Sequence, residues 1–194
     1  MKVKDSVRTV NYGNGNWFLD LLMKLAPDSD KAYKDAAPEE MIRGASWKAF
    51  EISTGLGLIP GPVGMAVVLP EIITITKLQI NLVCRIATHY RKRDTVNHTI
   101  VLLIFGNALG VYAGKEVVEK IGSRLVVKTL TSQTMRMLAQ KMGTKIGVMA
   151  VQRGVGRYIP FVLAPVFGAF SKSMTTKIGR EAIRLFSQEI EVTN

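Results

Sequence analysis

Cysteine and histidine are scarce in this sequence, which contains one cysteine and two histidines. The single Cys84 excludes an intramolecular disulfide framework and a cysteine-based zinc site, and we expect it to pack as a small apolar side chain in a reducing compartment. His89 and His98 lie nine residues apart, with no acidic pair placed to complete a zinc site. We therefore predict no metal centre.

Motifs that bind nucleotides or organise a catalytic centre are also missing. Neither a Gly-x-Gly-x-x-Gly sequence nor a Gly-Lys-Ser/Thr sequence occurs, so nucleotide binding has no support. Ser53, Ser132 and Ser171 have no nucleophile-elbow context. We predict no catalytic residue, no bound cofactor and a non-enzymatic function, while an enzyme whose site is assembled from scattered residues stays open as an alternative.

The start of the chain lacks a secretory signal, because the charged residues 1–8 are followed by the polar residues 11–16 rather than by an apolar core. We therefore expect a cytoplasmic protein. The 194 residues suffice for one domain with a proper core. We predict an N-terminal appendage with a short helix over residues 1–37 and a helical domain over residues 38–194.

Charge is absent from residues 52–70, which we call the first apolar segment. A straight apolar helix of about 20 residues would cross a bilayer. Pro60, Pro62 and several glycines interrupt a regular helix here, so we predict two half-helices that meet at residues 59–62. The hairpin is either buried in a soluble core or embedded at a membrane interface, since irregular backbone at membrane depth has to be covered by protein or line water.

Residues 158–170, the second apolar segment, are also uncharged and contain Pro160 and Pro165, which we expect to break it. It resembles the first apolar segment in its mixture of proline, glycine and bulky apolar residues. We predict that both segments contact a membrane. The predicted membrane-contacting residues are Leu56, Leu58, Ile59, Pro60, Val63, Met65, Phe161, Val162, Leu163 and Phe167.

Acidic residues are absent between Lys120 and Arg180, although the chain has a net charge of +11. Residues 115–157 have basic side chains at helical spacing, which predicts one long or two shorter cationic amphipathic helices. An ordinary solvated helix face mixes both signs of charge, so this pattern favours an anionic surface as the partner. The predicted anionic-surface-binding residues are Lys120, Arg124, Lys128, Arg136, Lys141, Lys145, Arg153 and Arg157.

Helix start signals and helical spacing elsewhere predict an all-α fold, a compact multi-helix bundle with two apolar hairpins broken by proline and glycine. Pro38 opens one helix, and Pro70 with Glu71 opens another. We predict a helix over residues 95–114 that Asp94 caps, and a last helix from Thr175 to about residue 191. Glu71 is interpreted as a helix N-terminal charge, with pairing to Lys77 or Arg85 as the alternative.

Several short stretches resemble bacterial EcsC-like proteins over roughly residues 40–186. They are Gly55-Leu56-Gly57, Leu69-Pro70-Glu71, residues 77–83, residues 86–90, Tyr158-Ile159-Pro160, Gly168-Ala169, residues 175–179, Ala182 and Phe186. The chain departs from the family pattern at Ser171-Lys172, where an asparagine is expected. The resemblance implies a bacterial helical protein of a family named for its association with an ABC exporter operon, and it supplies no catalytic residues.

Apolar segments beside an acid-free basic region predict a protein at the inner face of the cell membrane, bound to anionic phospholipids. It would act as an accessory to a membrane transporter or envelope process, with a membrane protein as a second partner. The alternative is a soluble helical binding module for nucleic acid or an acidic protein partner, although aromatic residues for base stacking are sparse among the cations. The sequence leaves homo-oligomerisation open.

Overall fold

The computed structural model describes residues 36–111, 118–121, 124–156 and 160–193. This part of the chain is mostly helical, which confirms the predicted fold class; nearly all of the predicted appendage, residues 1–37, lies outside it. The helices are α1 Pro38–Gly57, α2 Gly61–Ala66, α3 Val68–His89, a 3-10 turn Arg93–Thr95, α4 His98–Leu109, α5 Ser132–Gly156 and α6 Pro160–Phe186. The strands are β1 Val118–Ile121, β2 Arg124–Lys128 and β3 Glu189–Thr193.

Helix α4 is the centre of the core. Its residues from Thr99 to Gly106 are all buried, and Ile100, Leu102 and Ile104 are almost completely enclosed. The predicted capping residue Asp94 lies in the 3-10 turn instead, and Asn97 caps α4 by accepting a hydrogen bond from the backbone amide of Ile100. Gly110 ends α4 in the left-handed conformation that favours glycine, so this helix is shorter than predicted.

The longest contact in the bundle is between α1 and α6, which run antiparallel. A Cβ added at Gly57 would lie 3.0 Å from the Cβ of Ala164. A Cβ added at Gly179 would lie 2.4 Å from the Cγ1 of Ile42. The contact therefore extends from the end of α1 to near its start. Glycine is needed at these positions because the two helix backbones approach too closely for a larger side chain.

We expect Gly179→Ala to lower the free energy of unfolding by about 1–3 kcal/mol, because the new methyl group overlaps the buried Ile42 side chain. The matched control is Gly44→Ala in α1, where an added Cβ has no atom within 4 Å; alanine there should raise stability by up to about 1 kcal/mol. Urea unfolding followed by circular dichroism measures both. Equal stability of the two variants would contradict the described packing.

A small three-stranded sheet lies at the far end of α6, with β2 antiparallel to β1 and parallel to β3. The prediction of a cationic helix over residues 115–157 is therefore wrong for its first part, since Arg124 and Lys128 lie on β2. Leu125 and Val127 are buried, Val126 between them is half-buried, and the two ends of β2 are exposed. This period-two pattern, with two β-branched valines, favours a strand. Among the residues of that region that the structure describes, α5 is the helical part.

Helix α6 is continuous through Pro165, so the prediction that this residue breaks the second apolar segment is wrong. Pro165 is in the second turn, where it removes a helical hydrogen bond without ending the helix. The predicted last helix also differs: it begins fifteen residues earlier, at Pro160, and ends at Phe186, after which Glu189–Thr193 pairs with β2 as a strand.

Candidate functional site

Exposed large apolar side chains collect at one end of the bundle. All those of the described residues except Trp47 and Met137 lie where α1 ends, α2 turns, α5 ends and α6 begins. We call this end the apolar tip. It consists of Leu58, Val63, Met65, Val148, Val151, Val155, Val162, Val166 and Phe170, which are 41% to 67% exposed. Patches of this kind mark contact surfaces.

Contacts between helices show that the tip is a single end of the molecule. Gly57 packs on Ala164, and the Met65 side chain lies 3.9 Å from the position of a Cβ at Gly154. The turn that joins α1 to α2 contains Gly61, whose φ of 63° favours glycine. The two apolar segments, distant in sequence, therefore meet here.

The tip has a definite depth. Val148, Val151 and Val155 form an exposed stripe on α5, and Val162, Val166 and Phe170 form another on α6. At 1.5 Å per residue these stripes are about 10–12 Å long. This is less than the half-thickness of a bilayer's hydrocarbon core, about 15 Å.

Four of the ten predicted membrane-contacting residues, Leu58, Val63, Met65 and Val162, belong to this tip. Leu58, Pro60, Val63, Met65 and Val162 are exposed, whereas Leu56, Ile59, Leu163 and Phe167 are half-buried. The side chain of Phe161 lies outside the described residues. Sequence reasoning missed the valines of α5, because that helix was interpreted as a basic surface.

A ring of lysines surrounds the base of the tip. We counted residues along each of the four long helices, starting from the tip. The first basic residue that is not buried is always a lysine, and these are Lys48, Lys77, Lys145 and Lys172. We call these four residues the basic collar. Glu51 on α1 is an acidic residue at the same level, so the collar is predominantly but not purely basic.

The aromatic side chain of Trp47 lies at the level of the basic collar. The Lys172 Nζ lies 3.3 Å from the centre of the Trp47 ring, and Trp47 is 48% exposed. The Trp47 ring also contacts Phe50 edge to face, with 5.5 Å between centroids. Tryptophan and lysine at one level are typical of a membrane–water interface.

The predicted basic surface is not one surface. Arg124 pairs with Glu189 at 3.2 Å at the sheet end, where Lys128 also lies. Arg136, Lys141 and Lys145 are exposed on α5, but only Lys141 and Lys145 share a stripe, because at 3.6 residues per turn Arg136 lies on the opposite side of the helix from Lys145. The side chain of Lys120 and all of Arg157 lie outside the described residues.

The prediction that Arg153 binds an anionic surface is wrong, because this residue is only 8% exposed and lies inside the bundle. Its Nη1 donates a 2.7 Å hydrogen bond to Glu71 Oε1 in an ion pair. Glu71 is in the first turn of α3 as predicted, and it forms its ion pair with Arg153 on α5. The guanidinium also lies 5.3 Å from the centre of the Phe170 ring.

Two serines close a ring of hydrogen bonds around this pair. Arg153 Nη2 donates to Ser171 Oγ at 2.9 Å, Ser171 Oγ donates to Ser53 Oγ at 2.9 Å, and Ser53 Oγ donates to Glu71 Oε1. The four side chains come from α5, α6, α1 and α3. This polar ring therefore joins all four long helices inside the bundle, beside Phe170 on α6 and between Val151 and Val155 on α5.

Gly61–His89 is the one stretch of the described residues that is long and apolar enough to cross a membrane. An 18-residue window of this stretch has a mean hydropathy of 1.5, and 44% of that window is buried within the molecule. Length and composition are weak evidence, since a core helix has the same properties. The buried Glu71 and Gln79 face the bundle interior, which is how a core helix behaves.

Comparison with family models, curated proteins and solved structures finds no match for this chain. The resemblance to EcsC-like proteins therefore stays a prediction.

Proposed function

We propose that this protein binds end-on to one leaflet of a membrane, with the apolar tip in the outer hydrocarbon and the basic collar among anionic headgroups. The observation that carries the proposal is the change, near one level, from the lysines of the four long helices to the exposed apolar residues of α2, α5, α6 and the turn after α1. Polarity thus varies along the molecular axis rather than around each helix. A solvated bundle has no reason to collect most of its exposed large apolar side chains at one end.

Buried polar groups support insertion to a limited depth. The Glu71–Arg153 ion pair is sealed at the base of the tip, so no ionised group of the described tip faces outward. With a tip about 10–12 Å long, the remaining bundle and its sheet stay in water. Following the sequence resemblance, we propose that the protein binds the inner face of the cell membrane. There the exposed bundle would serve a transporter or envelope process.

Vesicle flotation tests the proposal. The protein should float with vesicles of phosphatidylcholine mixed with phosphatidylglycerol, and less with phosphatidylcholine alone, because each lysine near an anionic surface contributes about 1 kcal/mol. Lys77→Gln in the collar should lower the partition coefficient for the mixed vesicles by about fivefold.

The matched control is Lys128→Gln at the sheet end. Helix α6, with 27 residues, separates the two ends by about 40 Å, which far exceeds the Debye length of about 8–10 Å. This control should leave flotation unchanged. Equal losses from both variants would mean that total charge matters and the collar does not, and no flotation of the unchanged protein would remove the proposal.

A further inference from the structure

A cavity lies between α3, α4, α5 and α6, beside the polar ring. It offers about 60 Å³ to the centre of a water-sized sphere and is partly open to the surface. One water molecule needs about 10–15 Å³ by this measure, so there is room for several. Phe170, which is 41% exposed, lies at the cavity and also belongs to the apolar tip.

The walls of the cavity are apolar except at a few points. Ile75, Phe105, Ile146 and Met149 are typical of the apolar lining. The polar groups come from Thr76, Gln79, Arg153 and Ser171, which are all at most 8% exposed. A few fixed polar groups in an apolar wall are typical of a small-molecule site.

The charge of the lining selects the chemistry of the occupant. The Arg153 guanidinium is already neutralised by Glu71, whose carboxylate is 1% exposed, so the cavity offers no net charge. Arg153 lines the cavity and Glu71 lies behind it. A ligand carboxylate would therefore be desolvated beside a guanidinium whose charge Glu71 already balances, and a ligand ammonium would be desolvated beside the Arg153 cation. An uncharged head with hydroxyl groups avoids both penalties.

Hydrogen-bonding groups for such a head are in place. The Gln79 Nε2 donates to Thr175 Oγ1 at 3.0 Å, so its amide oxygen can accept a hydrogen bond from a ligand hydroxyl. The Ser171 hydroxyl and the Arg153 guanidinium lie on the tip side of the cavity. A glycerol-sized head fits the space of several waters, and an attached chain would leave past Phe170.

We propose that this cavity binds a neutral single-chain lipid with a hydroxyl-bearing head, of the monoacylglycerol type. The choice of a lipid rests on the proposed membrane function, because the cavity lies at the level of the basic collar and its exposed lining residue Phe170 belongs to the tip. The neutrality of the head rests only on the Arg153–Glu71 pair.

Isothermal titration with 1-decanoylglycerol, below its micelle concentration, tests the proposal on the full chain. We expect saturable binding of the glyceride, and binding of decanoate and decyltrimethylammonium at least about tenfold weaker because each buries an unpaired charge. No saturable binding of the glyceride would overturn the proposal. Equal affinity for decanoate would overturn the neutral-head assignment.

Two variants locate the site. Ala150→Leu places a larger side chain in the cavity wall and should remove glyceride binding, with folding checked by circular dichroism. Ile146→Phe fills the same space from a half-buried position, should Ala150→Leu fail to fold. Glyceride binding at the unchanged affinity in a folded filling variant would place the site elsewhere.

The variant Val63→Asp separates this proposal from membrane binding. Val63 lies on the tip, 67% exposed, and does not line the cavity. The Val63→Asp protein should no longer float with vesicles but should still bind the glyceride. A protein that binds the glyceride but never floats with vesicles would overturn the membrane function and retain the cavity site.

Discussion

Two carboxylates on the apolar tip, Val63→Asp with Val162→Asp, are expected to abolish flotation with mixed vesicles. Each places a charge in the hydrocarbon, at a cost of about 2–3 kcal/mol, or roughly 30- to 150-fold in partition coefficient. Both valines are about two-thirds exposed, so the folded structure should change in stability by less than about 0.5 kcal/mol. Flotation and thermal unfolding measure the two effects separately.

The matched control for the tip is Met137→Asp. Met137 is another exposed apolar residue, 47% exposed, but it lies near the start of α5, away from the tip. The control adds the same charge to the same protein, so end-on binding predicts nearly unchanged flotation. Losses as large as those of the tip variant would indicate that the protein lies flat along α5.

Removing one partner of the buried ion pair should destabilise the protein strongly. Arg153→Met leaves the Glu71 carboxylate buried without this cation, and we expect the free energy of unfolding to fall by about 3–5 kcal/mol. The double variant Glu71→Leu with Arg153→Met removes both charges and should recover most of the loss. Guanidinium unfolding of the unchanged protein, the single variants Arg153→Met and Glu71→Leu, and the double variant gives the coupling between the residues.

An exposed pair provides the control for this measurement. Arg124 and Glu189 form a 3.2 Å ion pair with side chains that are 64% and 69% exposed. Arg124→Met should cost less than about 1 kcal/mol, because water screens the interaction. If Arg153→Met cost no more than Arg124→Met, or if the two losses at Glu71 and Arg153 simply added, the polar ring would not join the helices as described.

Local signals in the sequence predicted much of the fold. Pro38 does open α1, and Glu71 stands in the first turn of α3, because a helix start depends on only a few neighbouring residues. The strands were missed for the opposite reason. Arg124 pairs with Glu189 in the parallel ladder, and a pairing across so many residues leaves no mark in either local stretch.

The candidate site was predicted in part. The two apolar segments are visible as uncharged runs, but the valines of α5 alternate with polar residues and read as one side of a cationic helix. The role of Arg153 depends on Glu71, which is 82 residues away in the chain. One signal was present: each is the single charge within an otherwise apolar stretch, and such isolated opposite charges are candidates for a buried pair.

The depth of single residues in the membrane separates end-on binding from flat binding. A nitroxide attached to a new cysteine at Val63, Val162 or Met137 reports its depth by paramagnetic resonance, from its accessibility to oxygen and to a polar nickel complex. The natural Cys84 should not take up the label, because it is fully buried and burial raises the pKa of its thiol, although Arg93 partly opposes this.

End-on insertion predicts that labels at Val63 and Val162 lie within the hydrocarbon, up to about 10–12 Å below the collar, while the label at Met137 stays in water. Labels at all three positions at the same shallow depth would show that the protein lies flat. If the labels at all three positions stayed in water, the proposal that the apolar tip inserts into a membrane would be wrong, and the tip would then have some other partner.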